Sequence, residues 1–381
     1  MADFLSSRVL RRGLPWLLIV VLALLLPVVL PPFRLNLLGR FLSLGIVALG
    51  VDLIWGYTGM LSLGQGIFFA LGGYALGMYL SLNSLEPGQL PEFFSLYGVQ
   101  SLPTFWQPFS SLLFTLFAIW VIPALVAGVL GYLVFRNRIK GVYFSILTQA
   151  ALLVFFNFFN GQQKLINGTN GLKTDTARIL GQLVGSDAMQ RNLFWITVVV
   201  AVGAFLLCRW LTSGRFGDSL IAIRDDEARL RFTGYNPTAY KTLVFAVAGA
   251  LAGISGALYT VQSGIVSPQY MAVPFSIEMV IWVAVGGRGT LIGALLGAVL
   301  INYAKSLVSE ALPETWLFIQ GGLFLLVVTA LPDGLVGWWR SGGPGRVQAM
   351  VGWPPLASTY PELDLDPAVQ AEKAELEGGV R

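Results

Sequence analysis

The 381-residue chain contains no histidine and a single cysteine, Cys208. Without histidine, the commonest metal ligand and the commonest general base are both missing. One cysteine cannot build a disulfide framework or a cysteine metal site. No lysine follows a glycine, so the glycine-lysine pair of a nucleotide-binding phosphate loop is absent as well. We therefore expect no catalytic residues, no metal, no cofactor and no ATP hydrolysis by this chain itself.

Charged side chains are scarce, at 12% of the residues, whereas 55% of the residues are hydrophobic. Soluble domains carry about 25% charged residues. The composition therefore predicts an integral membrane protein whose constant partner is the lipid bilayer. The net charge of +4 comes from basic clusters in loops, which indicates positive-inside topology and no nucleic-acid binding.

The apolar stretches predict the fold class, because a membrane-spanning helix needs about 20 apolar residues. We expect an all-α, polytopic helical bundle of about 9–10 spans with broken or re-entrant segments. The count is ten if the two short stretches near the C-terminus each cross, and nine if they form one broken span. This transmembrane domain would occupy residues 1–340, followed by a disordered tail over 341–381. The candidate spans are 14–30 (read as a retained span, not a cleaved signal), 37–55, 67–82, 111–135, 142–159, 193–211, 242–262, 273–285, 291–307 and 316–331.

Two glycine-rich segments with scattered polar residues, 56–73 and 286–297, interrupt the apolar pattern. Non-helical backbone at membrane depth is tolerated where it is buried in protein or lines a watery cavity, and such breaks often mark transport pathways. Close helix packing through small residues is the alternative for the glycines. Ser62 and Gln65, which lie in the first segment, are candidates for lining a pathway.

Four more polar residues lie inside predicted spans. Asp52 and Glu278 are intramembrane acids, and such acids are functional candidates because they are costly to bury. Each could instead be paired within the bundle and have a structural role. Gln149 and Asn157 could offer hydrogen bonds to a polar solute, or could join neighbouring helices.

The polar loop over residues 209–241 contains six of the chain's 24 basic residues and is expected on the cytoplasmic side. Its sequence predicts a short helix over 216–232, with Asp218 as the N-cap and Gly234 and Pro237 as the stop. An ordinary solvated turn is the alternative. A capped, charged helix of this kind indicates that a soluble partner docks on it.

Longer motifs carry a resemblance to a known family. The run GYTGMLSLGQGIFFALGGYALGMYL at 56–80 resembles the signature of ABC importer permeases of the branched-chain amino acid type. GDSLIAIRDDEARLRFTGYNPTAYK resembles the ATPase-coupling loop of that family, and SIEMVIWVAVGGRGTLIGALLGAVLINYAKS continues the match. Within the family, the chain looks most like the second permease subunit of urea transporters. Gln65 departs from the pattern, because many members carry a histidine there.

The resemblance implies a heteromeric importer. Its other parts would be a second homologous permease subunit, two cytoplasmic ABC ATPase subunits and a periplasmic substrate-binding protein. The 216–232 helix would then be the lever that ATPase closure moves. The implied ATPase-coupling residues are Phe216, Arg224, Asp225, Asp226, Glu227, Arg229, Arg231 and Gly234.

Two hypotheses for the cargo and one rival mechanism follow. Urea is the first, because it is neutral and the predicted spans are poor in charge, with Asp52 and Glu278 as the clear exceptions. Branched-chain or neutral amino acids are the alternative. Ion-coupled secondary transport, in which Asp52 and Glu278 would carry protons or sodium, is a rival from another class.

Overall fold

Helices dominate the computed structural model, which describes residues 24–85, 89–179, 181–311, 315–330 and 334–340. Residues 24–29 are helical, and thirteen labelled α-helices follow them among the described residues. The α-helices are α1 (Pro32–Thr58), α2 (Gln65–Asn83), α3 (Glu92–Leu96), α4 (Leu112–Arg136), α5 (Val142–Gly161), α6 (Gln163–Ile166), α7 (Asp187–Thr212), α8 (Gly214–Phe232), α9 (Pro237–Ser263), α10 (Val273–Gly286), α11 (Leu291–Ala311), α12 (Trp316–Ala330) and α13 (Gly334–Arg340).

Seven of these helices are long and apolar enough to cross a membrane: α1, α2, α4, α5, α7, α9 and α11. The predicted polytopic all-α class is confirmed. The first predicted span, 14–30, lies mostly outside the described residues, and the predicted tail at 341–381 lies wholly outside them.

The two short stretches near the C-terminus do not form one broken span. Helix α10 has 14 residues and α11 has 21. Gly286 at the end of α10 lies against Gly293 of α11, and Gly297 lies against the carbonyl of Trp282. The two helices therefore run side by side as a hairpin around the turn at 287–290. A 3₁₀ turn, Pro268–Met271, precedes α10.

Helix α9 lies at the centre of the bundle, where it packs against α1, α2 and α4. It begins with Asn236, whose Oδ1 accepts a hydrogen bond from the Thr238 N–H (3.2 Å), and it ends at Gly264 with φ +81°. Gly256 lies against the Phe69 carbonyl of α2, and Gly249 against Ala127 of α4. This packing of small residues lets three backbones approach closely.

Four strands of two residues each lie on one face of the helical bundle. β1 (Leu172–Lys173) pairs antiparallel with β4 (Ile265–Val266), with Leu172 opposite Val266. β2 (Arg178–Ile179) and β3 (Gln182–Leu183) form a hairpin. The β1–β4 pair joins the loop before α7 to the segment that follows α9.

The opposite face carries α8. Lys140, in the loop between α4 and α5, is 3.1 Å from Glu227 of α8. The end of α1 contacts both Arg224 of α8 and the 287–290 turn. The basic loops predicted for one side therefore lie together, on what we call the α8 face.

Because Gly256 leaves no room for a Cβ beside the Phe69 carbonyl, we expect Gly256→Ala to destabilise the bundle by about 1–3 kcal/mol, as overpacking does. Thermal unfolding in detergent measures the loss. Gly203→Ala in α7 is the matched control, because nothing lies within 4 Å of its added methyl. Equal melting temperatures for the two variants would contradict the packing account.

Candidate coupling helix and pathway residues

Helix α8 begins earlier than the sequence indicated. It runs from Gly214, with Ser213 at the N-cap position, so the assignment of Asp218 as the N-cap is wrong. Gly217 lies against the Thr212 carbonyl with no space for a Cβ. This close approach turns the chain sharply from α7 into α8.

A kink at Asp226 divides α8 into two halves, so the single uninterrupted helix expected over 216–232 is wrong. Asp226 has φ −155° and ψ 95°, outside the helical region. Its Oδ1 accepts hydrogen bonds from the N–H groups of Ala228 (3.0 Å) and Arg229 (3.1 Å). Asp226 thus caps the second half.

Glu227 connects α8 to the bundle. Its carboxylate accepts hydrogen bonds from Lys241 of α9 (2.6 Å) and Arg231 (2.9 Å), and it lies 3.1 Å from Lys140. The side chains of Glu227 and Lys241 are only 9% and 6% exposed. Burial acts to raise the pKa of Glu227, but Lys241 and Lys140 outweigh it and hold that pKa below its ordinary value.

Other predicted coupling residues face solvent. The side chain of Arg229 is 86% exposed, and Phe232, which was not among the predicted coupling residues, is 92% exposed. Asp225 is also exposed, and it accepts a hydrogen bond from Arg224 (3.1 Å). The second half of α8 therefore presents a cation and an aromatic ring, both away from the bundle.

The first half of α8 faces inward. Phe216 stacks on Tyr240 of α9, with ring centroids 5.2 Å apart, and Leu220 and Ile223 are buried. Gly234, at φ +89°, follows the last helical turn as predicted.

The break between α1 and α2 is shorter than the glycine-rich pattern indicated, because only residues 59–64 are non-helical. Hydroxyl groups from other helices form hydrogen bonds with backbone groups at this break. Thr148 of α5 accepts from the Leu63 N–H (3.1 Å), and Ser145 donates to the Leu61 carbonyl (2.6 Å). Ser276 of α10 accepts from the Gly66 N–H (3.3 Å).

Both predicted pathway residues of this break are buried. The Ser62 hydroxyl accepts from the Gly64 N–H (3.3 Å). Gln65 is 1% exposed, and neither its amide oxygen nor its amide nitrogen has a hydrogen-bond partner among the described residues. A buried polar group without a partner costs about 1–3 kcal/mol.

The two intramembrane acids have different environments. Glu278 of α10 binds the Lys305 ammonium of α11 through both oxygens, at 2.6 and 2.9 Å. Asp52 of α1 accepts the Gly289 N–H (2.7 Å) through Oδ1, and its Oδ2 has no partner in the described part of the chain.

The expectation that Asp52 and Glu278 are the clear charges in the spans is wrong. Arg40 lies within α1, where it donates to the Gln262 carbonyl (3.0 Å). Lys241 lies in α9 and Lys305 in α11. Sequence reasoning counted Lys241 with the polar loop, and it passed over Arg40 and Lys305 although both stand within predicted spans.

Gln149 and Asn157 both lie on α5. Gln149 is half-buried, while Asn157 is exposed and donates to the Leu153 carbonyl of its own helix (2.8 Å). No hydrogen bond between described residues joins either side chain to Gln65. Among the described residues, no group of three histidine, cysteine, aspartate or glutamate side chains could hold a metal ion.

Together, the apolar helices and the charged helix on one face define a multi-pass membrane protein. The family described as branched-chain amino acid transport system / permease component matches residues 33–328, and the chain belongs to that family. No solved structure matches.

Curated relatives agree with the family. The chain is 26% identical to the high-affinity branched-chain amino acid transport system permease protein LivM of Salmonella typhimurium, over 76% of this chain and 67% of the relative. It is 22% identical to BraD of Pseudomonas aeruginosa, a protein of the same description, over 77% and 91%. It is also 21% identical to the ribose import permease protein RbsC of Haemophilus influenzae, over 57% and 67%.

We expect Glu227→Gln to lower the free energy of unfolding by about 3–5 kcal/mol, because a buried ammonium loses its counter-charge. The lowered pKa of Glu227 means that the stabilisation is complete above pH 4.5, its ordinary value, and is lost as the pH falls through the lowered pKa. Thermal unfolding across this range should therefore show the parent and the variant converging in acid.

Asp225→Asn is the control, since Asp225 is 64% exposed and should matter little. A gap between parent and Glu227→Gln that persists unchanged at low pH would contradict the ion-pair account.

Proposed function

We propose that this chain is a membrane-spanning subunit of an ATP-driven importer for branched-chain or similar neutral amino acids in a bacterial inner membrane. The observation that carries the proposal is the family match over residues 33–328, which includes α8 and both breaks. Transport would be powered by separate ATPase subunits, because the chain lacks a phosphate-binding loop.

The proposed docking surface for the ATPase is the second half of α8. Arg229 and Phe232 extend away from the bundle, so they are free to meet a partner. Of the predicted coupling residues, Glu227 and Arg231 instead bind each other and hold α8 to α9 through Lys241. We assign those two residues to positioning the helix.

Further subunits complete the proposed importer. Helices α4 and α5 expose most of their apolar surface, as Leu113 and Val154 illustrate. A second homologous permease and the lipid bilayer would cover this surface. A periplasmic binding protein would deliver the cargo to the face that carries β1–β4.

Amino acids are preferred over urea as cargo for two reasons. LivM and BraD are named for branched-chain amino acids. The argument for a neutral cargo from charge-poor spans also fails, since Arg40 and Lys305 lie within helices. Urea is the second candidate, because the unpaired Gln65 amide matches its neutral donors and acceptor.

Uptake of labelled leucine and labelled urea, in cells carrying and lacking the chain, tests the proposal. We expect the deletion to abolish high-affinity leucine uptake, to leave urea uptake unchanged, and to be complemented only where ATP is available. Loss of urea uptake alone would move the cargo to urea. Complemented uptake that survives ATP depletion and requires Asp52 and Glu278 would favour the ion-coupled rival.

Gln65 tests the pathway assignment separately. Gln65→Leu keeps the volume and removes an unsatisfied amide, so we expect unchanged or higher thermal stability and a fall in uptake of at least tenfold. Gln320→Leu in α12 is the matched control, since Gln320 is also buried with an unpaired amide oxygen. If Gln65→Leu transports normally, Gln65 does not line the pathway.

A further inference from the structure

The end of α1 is held by two arginines from different elements. A helix leaves its last four carbonyl groups without helical donors. Arg224 of α8 donates to the Gly56 carbonyl (3.1 Å). Arg288 of the α10–α11 turn donates to the Trp55 carbonyl (3.3 Å), which also accepts the Gly59 N–H (3.1 Å) at the end of the helix. Positive charge is favourable at this negative end of the helix dipole. Neighbouring carbonyls of α1 thus join α8 to the turn.

The turn is bound to α1 at two further points. Asp52 accepts the Gly289 N–H (2.7 Å), one helical turn before Gly56. The Arg288 guanidinium lies over the Trp55 ring, 5.1 Å from its centroid. The turn therefore cannot move away from α1 without breaking a hydrogen bond to a buried carboxylate.

The fit between these elements has no slack. A Cβ at Gly56 would meet the Asp52 carboxylate and would lie 2.6 Å from the Gly289 nitrogen. Gly59 has φ +75°, and its position for a Cβ is 2.9 Å from Cγ of Arg224. The two glycines let Arg224 and the turn approach α1 together. A displacement of α8 would therefore reach both α1 and the turn.

We propose that Arg224 transmits the movement of α8 to the α10–α11 hairpin through the end of α1, and is not a docking contact for the ATPase. The route is Arg224 to Gly56, then Asp52 and Trp55 to the 287–290 turn. The turn continues into α10, whose Glu278 binds Lys305 of α11, so the hairpin moves as one piece. This inference rests on the proposed function, in which an ATPase moves α8.

Arg224→Gln and Arg288→Gln test the route, measured in the assembled transporter. Each variant removes one guanidinium from an α1 carbonyl, and Arg288 lies outside α8. We expect both variants to retain the ATPase subunit on purification within twofold of the parent, and to lose cargo uptake at least tenfold. ATP hydrolysis should continue but lose its dependence on cargo. Arg229→Gln should instead reduce the amount of ATPase retained.

Arg136→Gln is the matched control on the same face, because the Arg136 guanidinium contacts Tyr132 of its own helix (3.3 Å); its uptake should stay within twofold. Coupled uptake by Arg224→Gln or Arg288→Gln would overturn the route. So would loss of the ATPase from Arg224→Gln to the same degree as from Arg229→Gln. If Arg224→Gln does not fold, Arg288→Gln decides alone. A parent complex that retains no ATPase would instead refute the proposed function.

Discussion

Backbone polar groups cannot be left without partners in hydrocarbon, and the rest of this structure depends on that constraint. Where α1 stops and α2 begins, side chains from other elements take over hydrogen bonds that the helical backbone no longer makes. Thr148 and Ser276 receive N–H groups at the α1–α2 break, and Arg224 and Arg288 take carbonyls at the end of α1. The breaks are therefore also the points where separate helices are bonded to each other. A membrane bundle made of uninterrupted helices would have fewer such bonds between its helices, so a movement of one helix would be transmitted less directly to the others.

Most of the fold was predictable because span length and apolar composition are properties of single segments. The predicted 142–159 and 242–262 became α5 and α9 with ends shifted by a few residues. The relation between α10 and α11 was not predictable in the same way. Two neighbouring apolar segments can form one continuous crossing or a hairpin. The choice depends on contacts between them, such as Gly286 with Gly293, which neither segment encodes alone.

The residues of the candidate site were predicted, but the different contacts that each of them makes were not. Sequence reasoning placed Arg224, Glu227 and Arg229 together on one charged helix. In the structure, Arg224 reaches α1, Glu227 binds Lys241, and Arg229 faces solvent. The kink at Asp226 separates Arg224 in the first half of α8 from Glu227 and Arg229 in the second. An aspartate inside a helix and an aspartate that caps a new one have the same sequence context, so tertiary packing decides between them.

The kink also separates the two tasks that a coupling helix must combine. A partner that docks on Arg229 and Phe232 touches the second half, whereas Leu220 and Ile223 anchor the first half in the bundle. Force that enters at the second half must pass Asp226 and Glu227, and Glu227 is held by Lys140, Arg231 and Lys241. These bonds join α8 to the start of α9 and to the loop before α5, while Arg224 joins it to α1. In the proposed importer, a docked partner would therefore act on α1, α9 and the loop before α5 at once through short, charged contacts, and the apolar packing of the bundle could stay intact.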